Sequence, residues 1–173
     1  MPYGYVPAPA KAYGLLPSDV GAGFREIVQE ATEDGRGFAN RIVVPDAVSV
    51  QGLWISRPDI WLVDTVVGIQ PYGSNDDLGA EYNGMLNTLR GKYGANVQPA
   101  VGWGSEQVYS YAWAGRSADG SVVIMYRGVA LKHRNAVVLV EMIGLEQHAT
   151  WDKLSGLVRT IESRIQAAAQ QYP

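Results

Sequence analysis

Three strand-like stretches follow one another between residues 106 and 143 with only short polar connections, and this run constrains the fold more than any other feature. Residues 106–114 alternate Gln107, Tyr109, Tyr111 and Trp113 against Val108, Ser110 and Ala112, the period-2 pattern of a strand with two unlike faces. Residues 115–120 read as a turn ending in Asp-Gly, residues 121–131 as a second strand, and His133-Arg134-Asn135 as the turn into residues 136–143. Parallel neighbours need a crossover of a dozen or more residues, so connections this tight demand an antiparallel meander. Residues 136–143 are apolar on both parities apart from Glu141, which predicts a central strand covered on both faces.

Upstream, residues 59–70 read as another strand, with Trp61, Val63, Thr65, Val67 and Ile69 on one face and prolines at either end. Ser74-Asn75-Asp76-Asp77 supplies an N-cap and first-turn carboxylates for a helix whose stripe is Leu78, Tyr82, Met85, Leu86, Leu89 and Tyr93, with Gly94 as its stop. A second helix is predicted from Thr150 to about Ala169, with Trp151, Leu154, Leu157, Val158, Ile161, Ile165 and Ala168 on one face. Residues 20–32 suit helix and strand equally: Phe24, Ile27, Val28 and Ala31 have helical spacing, but the Gly-Ala-Gly entry fits a strand. Residues 33–37 are a turn signal, and residues 40–56, broken by Pro45-Asp46 and Gly52, read as short strands or irregular structure. Strand region, helix, meander and helix together predict an α+β fold, an antiparallel sheet flanked by amphipathic helices.

Residues 1–18 hold four prolines among Tyr, Gly and Ala and read as an extended arm or linker, either a spacer or an arm that packs its tyrosines. Residues 19–173 then form a single α+β domain, as the 173-residue length and uniform composition imply. A hydrophobic content of 47% with 18% charged residues fits a packed core. The net charge of −3 and the lack of any Lys/Arg run argue against nucleic acid as a partner. No apolar run approaches the roughly 20 residues of a membrane span.

The residues offer no recognised catalytic constellation. With no cysteine, thiolate catalysis and Cys-based zinc sites are excluded. His133 lies in the basic turn Lys132-His133-Arg134 and His148 precedes the last helix, so both are expected as solvent-exposed turn residues. Residues 102–106, Gly-Trp-Gly-Ser-Glu, precede a strand, whereas a phosphate loop needs glycines that open a helix. No catalytic residue, cofactor or metal is therefore expected, and an enzyme would need a cleft gathering Asp64, Glu141 or His148. The conspicuous excess is aromatic, five Trp and ten Tyr against two Phe. Tyr109, Tyr111 and Trp113 share one strand parity with Trp103 nearby, and these four either pack beneath a helix or form a partner or ligand surface.

The order of these elements resembles a family of secreted actinobacterial and Chloroflexi lipoproteins. Residues 16–24 (LPSDVGAGF) are similar to its opening motif, and Ala80 and Tyr82 resemble the Ala and Tyr of its A-x-x-x-Y helix, at a spacing of two residues in place of four. Residues 101–106 (VGWGSE) are similar to its element before the meander, and residues 131–138 (LKHRNAVV) to its hairpin. Gly21-Ala22 stands where that family has a proline, and no glycine precedes Asn135. The resemblance implies a PsbP-like α/β/α sandwich, found also in photosystem accessory proteins and in binders of small GTPases. It implies an extracytoplasmic chain with a lipid anchor or transmembrane tether upstream. The family has no agreed activity, and no residue role carries over. The expectation is a non-catalytic binding or accessory domain for a protein partner or a small apolar ligand. A cytoplasmic adaptor of the same fold and an enzyme lacking known motifs stand as alternatives.

Overall fold

In the strand that begins at Leu62, alternate residues meet different layers, and this two-sidedness organises the molecule. The computed structural model describes residues 5–44, 61–71, 78–103, 105, 107–116 and 120–170. They contain β1 (Arg25–Ala31), β2 (Gly37–Val43), β3 (Leu62–Ile69), β4 (Gln98–Pro99), β5 (Gln107–Arg116), β6 (Val123–His133) and β7 (Ala136–Gly144). The helices are α1 (Pro17–Val20), α2 (Leu78–Tyr93) and α3 (Trp151–Gln170). All strands join one seven-stranded antiparallel sheet in the order β1-β2-β3-β7-β6-β5-β4. The fold class is α+β.

The meander is β5-β6-β7, and a second one, β1-β2-β3, is joined to it by the β3–β7 pairing from Leu62↔Ile143 to Ile69↔Ala136. This join makes β7 central, flanked by β3 and β6, as its two-sided apolar pattern requires. The ambiguous stretch after Val20 is strand β1. Its Arg25-Glu26 and Gln29-Glu30 pairs sit on a sheet edge, where charge and a bulge between Glu26 and Val28 oppose further strand pairing. Periodicity alone did not separate helix from strand here, and pairing with β2 decides it.

One face of the sheet carries the main core. Leu154, Leu157, Val158, Ile161 and Ile165 of α3 pack on Val63, Val67, Val129, Leu131, Val138, Val140 and Met142. Thr150 caps α3, its Oγ1 accepting the Lys153 N–H at 3.3 Å. Trp151, expected on the apolar face, is 37% exposed and lies under the Arg127 guanidinium at 5.5 Å, because the first turn of α3 overhangs the packed layer. The segment read as a Pro-rich arm covers the β2–β3 part of this same face. It forms a 3-10 turn at Ala10–Tyr13 and places Val6, Ala10, Tyr13 and Leu15 in the core beside Phe38 and Ile69. Asn135 holds it: Val6 N–H donates to Asn135 Oδ1 at 2.9 Å, and Asn135 Nδ2 donates to Val6 O at 2.8 Å and Gln70 O at 2.9 Å.

The opposite face is half covered. Leu78, Tyr82, Leu86, Leu89 and Tyr93 of α2 pack on Tyr111, Ala130 and Val137, over β5 to β7. Gly94 ends the helix at φ 58°, a conformation open to glycine. The expected cap at residues 74–77 and the breaks at Pro45-Asp46, Gly52 and Pro58 lie outside the described residues. Over β1 to β3 this face keeps Val28 44% and Val66 37% exposed.

Candidate functional site

Antiparallel register lines up one row of side chains across the α2 face of the sheet. Arg41 opposes Asp64, Asp64 opposes Glu141, Glu141 opposes Gly128, and Gly128 opposes Tyr111. Glu141, the one charge in the apolar β7, is only 7% exposed. A buried carboxylate is tolerated when donors satisfy it. The Tyr93 hydroxyl donates to Glu141 Oε2 at 2.5 Å, the Tyr111 hydroxyl donates to the same oxygen, and Lys92 Nζ lies 3.7 Å from Oε1. Gly128 makes room for this arrangement, since a Cβ there would overlap the Tyr111 ring. At the end of the row, Arg41 grips Asp64 with two hydrogen bonds of 2.6 Å, and the bonded carboxylate raises the Arg41 pKa further.

Aromatic rings surround the carboxylate. Tyr93 and Tyr111 stack with centroids 4.4 Å apart, Trp113 meets Tyr126 edge-on at 5.0 Å, and Tyr93 lies 6.2 Å from each of Trp113 and Tyr126. Burial, reinforced by the Glu141 charge, pushes the phenols of Tyr93 and Tyr111 far above their ordinary range and that of Tyr126 up to about 12. Burial likewise raises Tyr82. A raised native pKa means that, above the unfolded value of roughly 10, the unfolded chain releases protons the native one keeps. The stability these tyrosines contribute is whole below that pH and falls as pH climbs above it. In a titration followed at 295 nm, Tyr82, Tyr93, Tyr111 and Tyr126 are expected to ionise only with the loss of the circular dichroism of the fold. One transition of all ten tyrosines near pH 10 with the fold intact would contradict this.

The four aromatic candidates do not form one surface. Tyr111 is buried under α2, and Tyr109 is partly buried beside Tyr82 with the Arg90 guanidinium 5.1 Å over its ring. Trp103 packs against the main core on the other face. Trp113, at the far end of β5, keeps 40% of its surface exposed. Gly104 and Glu106 of the motif around Trp103 lie outside the described residues.

Neither histidine is fully exposed, although His148 does lie in the turn before α3. His133 ends β6 with its two ring nitrogens shielded, and His148 stacks on Trp61 with centroids 6.0 Å apart and rings nearly parallel at 4°. Asp64 and Glu141 are neighbours, but His148 lies with Trp61 on the α3 side, so the three do not converge. Among the described residues no group of three His, Cys, Asp or Glu is placed to hold a metal, and no helix is long and apolar enough to cross a membrane. Lys92, Tyr93 and Tyr126 were not singled out from sequence as site residues. The lone Glu141 in an apolar strand was the available signal, but its partners come from α2 and β5.

The uncovered half of this face forms a groove against α2. A cavity of about 330 Å³ is lined by Phe38, Ala39, Val66, Gly68, Met85 and Val137 together with Glu30 and Glu81, the Glu81 carboxylate lying over Gly68. It shares Glu30, Ala39 and Val66 with a second hollow of about 350 Å³ that runs over Val28 to the Arg41–Asp64 pair.

No family model matches this chain, and no curated protein does. A solved structure of LpqN, described as involved in cell envelope biogenesis of Mycobacterium tuberculosis, is similar with a TM-score of 0.39 at 11% identity, over 82% of this chain and 76% of that one. Similarity at that level carries no functional assignment.

Proposed function

We propose that this chain is a non-catalytic, extracytoplasmic accessory domain of the PsbP-like lipoprotein type, which binds an apolar ligand or an apolar segment of a protein partner. The observation that carries the binding reading is the groove over β1 to β3, where Val28, Ala39 and Val66 face outward beside Met85 of α2. Its volume lies at the lower end of the range of small-molecule sites, and its lining is apolar with few polar groups, the composition such sites share. The non-catalytic reading is supported by the occupation of the carboxylates: Asp64 is held by Arg41, and Glu141 by two phenols. The motif order shared with the secreted lipoproteins supports export.

The test uses 1-anilinonaphthalene-8-sulfonate as an apolar fluorescent probe. The native protein is expected to enhance its emission saturably. Val66→Glu, at a partly exposed position, is expected to weaken binding by about tenfold or more while leaving the melting temperature within a few degrees. Probe binding indifferent to Val66→Glu would remove the groove as the site. Fractionation of the native organism tests location: product confined to the cytosol sinks the export reading.

A further inference from the structure

The last turn of α2 carries Lys92 directly before Tyr93, so the ammonium and the ring share one corner of the molecule. Lys92 Nζ sits 4.9 Å from the Tyr93 ring centroid, 5.9 Å from that of Tyr126, and 3.7 Å from Glu141 Oε1. Trp113 closes the cluster against Tyr126 and Tyr93 and is the ring most open to solvent. Two aromatic faces and a carboxylate converging on one cation are the chemistry by which proteins recognise alkylammonium groups. The carbonyl end of α2 adds partial negative charge at the same place.

We infer that this corner is a binding site for an alkylammonium group, closed in cis by the chain's own Lys92. The receptor is rigid and its present occupant is not. Tyr93 and Tyr111 are fixed by their bonds to Glu141 and by stacking, whereas the Lys92 side chain is 57% exposed on a flexible four-carbon stem. A competing ammonium enters by displacing Nζ into water, where that charge is well solvated, and inherits the Tyr93 and Tyr126 faces and the Glu141 oxygen. Lys92 thereby sets the threshold for the ligand and keeps Glu141 compensated when none is present. Trp113, which contributes little to the core, forms the outer wall of this site. The site lies at the β5–β6 end of the face and is independent of the groove over β1 to β3.

The experiment compares the native protein with Lys92→Gln, a substitution at an exposed helix position whose fold is checked by circular dichroism, by calorimetric titration with n-butylammonium and tetramethylammonium chlorides against a sodium chloride control. Lys92→Gln is expected to bind at least one of them about tenfold tighter than the native chain, because the internal competitor is gone. Adding Tyr126→Leu to Lys92→Gln is expected to abolish the gain. Preference for n-butylammonium marks a lysine-like group bonded to Glu141, and preference for tetramethylammonium marks a choline-like group held by the rings. No tightening in Lys92→Gln, or a tightening that survives Tyr126→Leu, overturns the inference.

Discussion

Removing residues 1–16 is expected to cost the protein its cooperative unfolding transition. The segment buries Val6, Tyr13 and Leu15 almost completely against the β2–β3 half of the sheet, with Ala10 between them. At about 1.5–3 kcal/mol for each large apolar side chain withdrawn from water, their loss amounts to roughly 5 kcal/mol or more, comparable with the total stability of a typical domain. Polar costs add to this. Asn135, the Gly35 carbonyl and Arg164 lose partners in Val6, Ala10 and Gly14, and Asn40 Nδ2 loses the Leu15 carbonyl. Urea denaturation followed by circular dichroism measures the effect. A truncated chain that unfolds within about 1 kcal/mol of the native one would show that the segment is an appendage, as its prolines alone imply.

Gly128→Ala is expected to destabilise by about 2–3 kcal/mol, a large effect for one added methyl group. The new Cβ would overlap the Tyr111 ring, which cannot retreat because it is 1% exposed, stacked on Tyr93 and bonded to Glu141. Tyr111→Ala alone removes the ring and leaves a cavity beneath α2, at roughly 3–5 kcal/mol by analogy with other core aromatics. Combining the two is the decisive measurement. With no ring to strike, Gly128→Ala should cost less than about 1 kcal/mol in the Tyr111→Ala background, which gives a clearly non-additive cycle. Additive costs would mean that Gly128 is required for some reason other than the ring.

Much of the architecture was legible because local chemistry and final packing agree. The two long helices carry their stripes at helical spacing, and Val63, Val67 and Ile69 alternate on a strand that the fold does bury on that face. The meander followed from turns too short for anything else. Where local signals were silent or conflicting, pairing decided. Residues 25–31 became a strand because β2 offered them hydrogen-bonding partners. The candidate site was half legible. Tyr109, Tyr111 and Trp113 share a parity, yet α2 ends near Trp113, so burial falls from Tyr111 to Trp113 along a single strand.

By itself, then, the sequence determined which segments are helix and strand in the meander and at the C-terminus, that the sheet is antiparallel, and that its third meander strand is central, because hydrophobic period and turn length are local properties. Only the tertiary structure decided what Glu141 means. In the chain it is an isolated charge in an apolar strand. In the fold, β5–β6 and β6–β7 register and the approach of α2 bring it two phenols and an ammonium from positions 30 to 49 residues away. Desolvation of a charge and the donors that compensate it are properties of assembled surroundings, and no pattern along the chain encodes them locally.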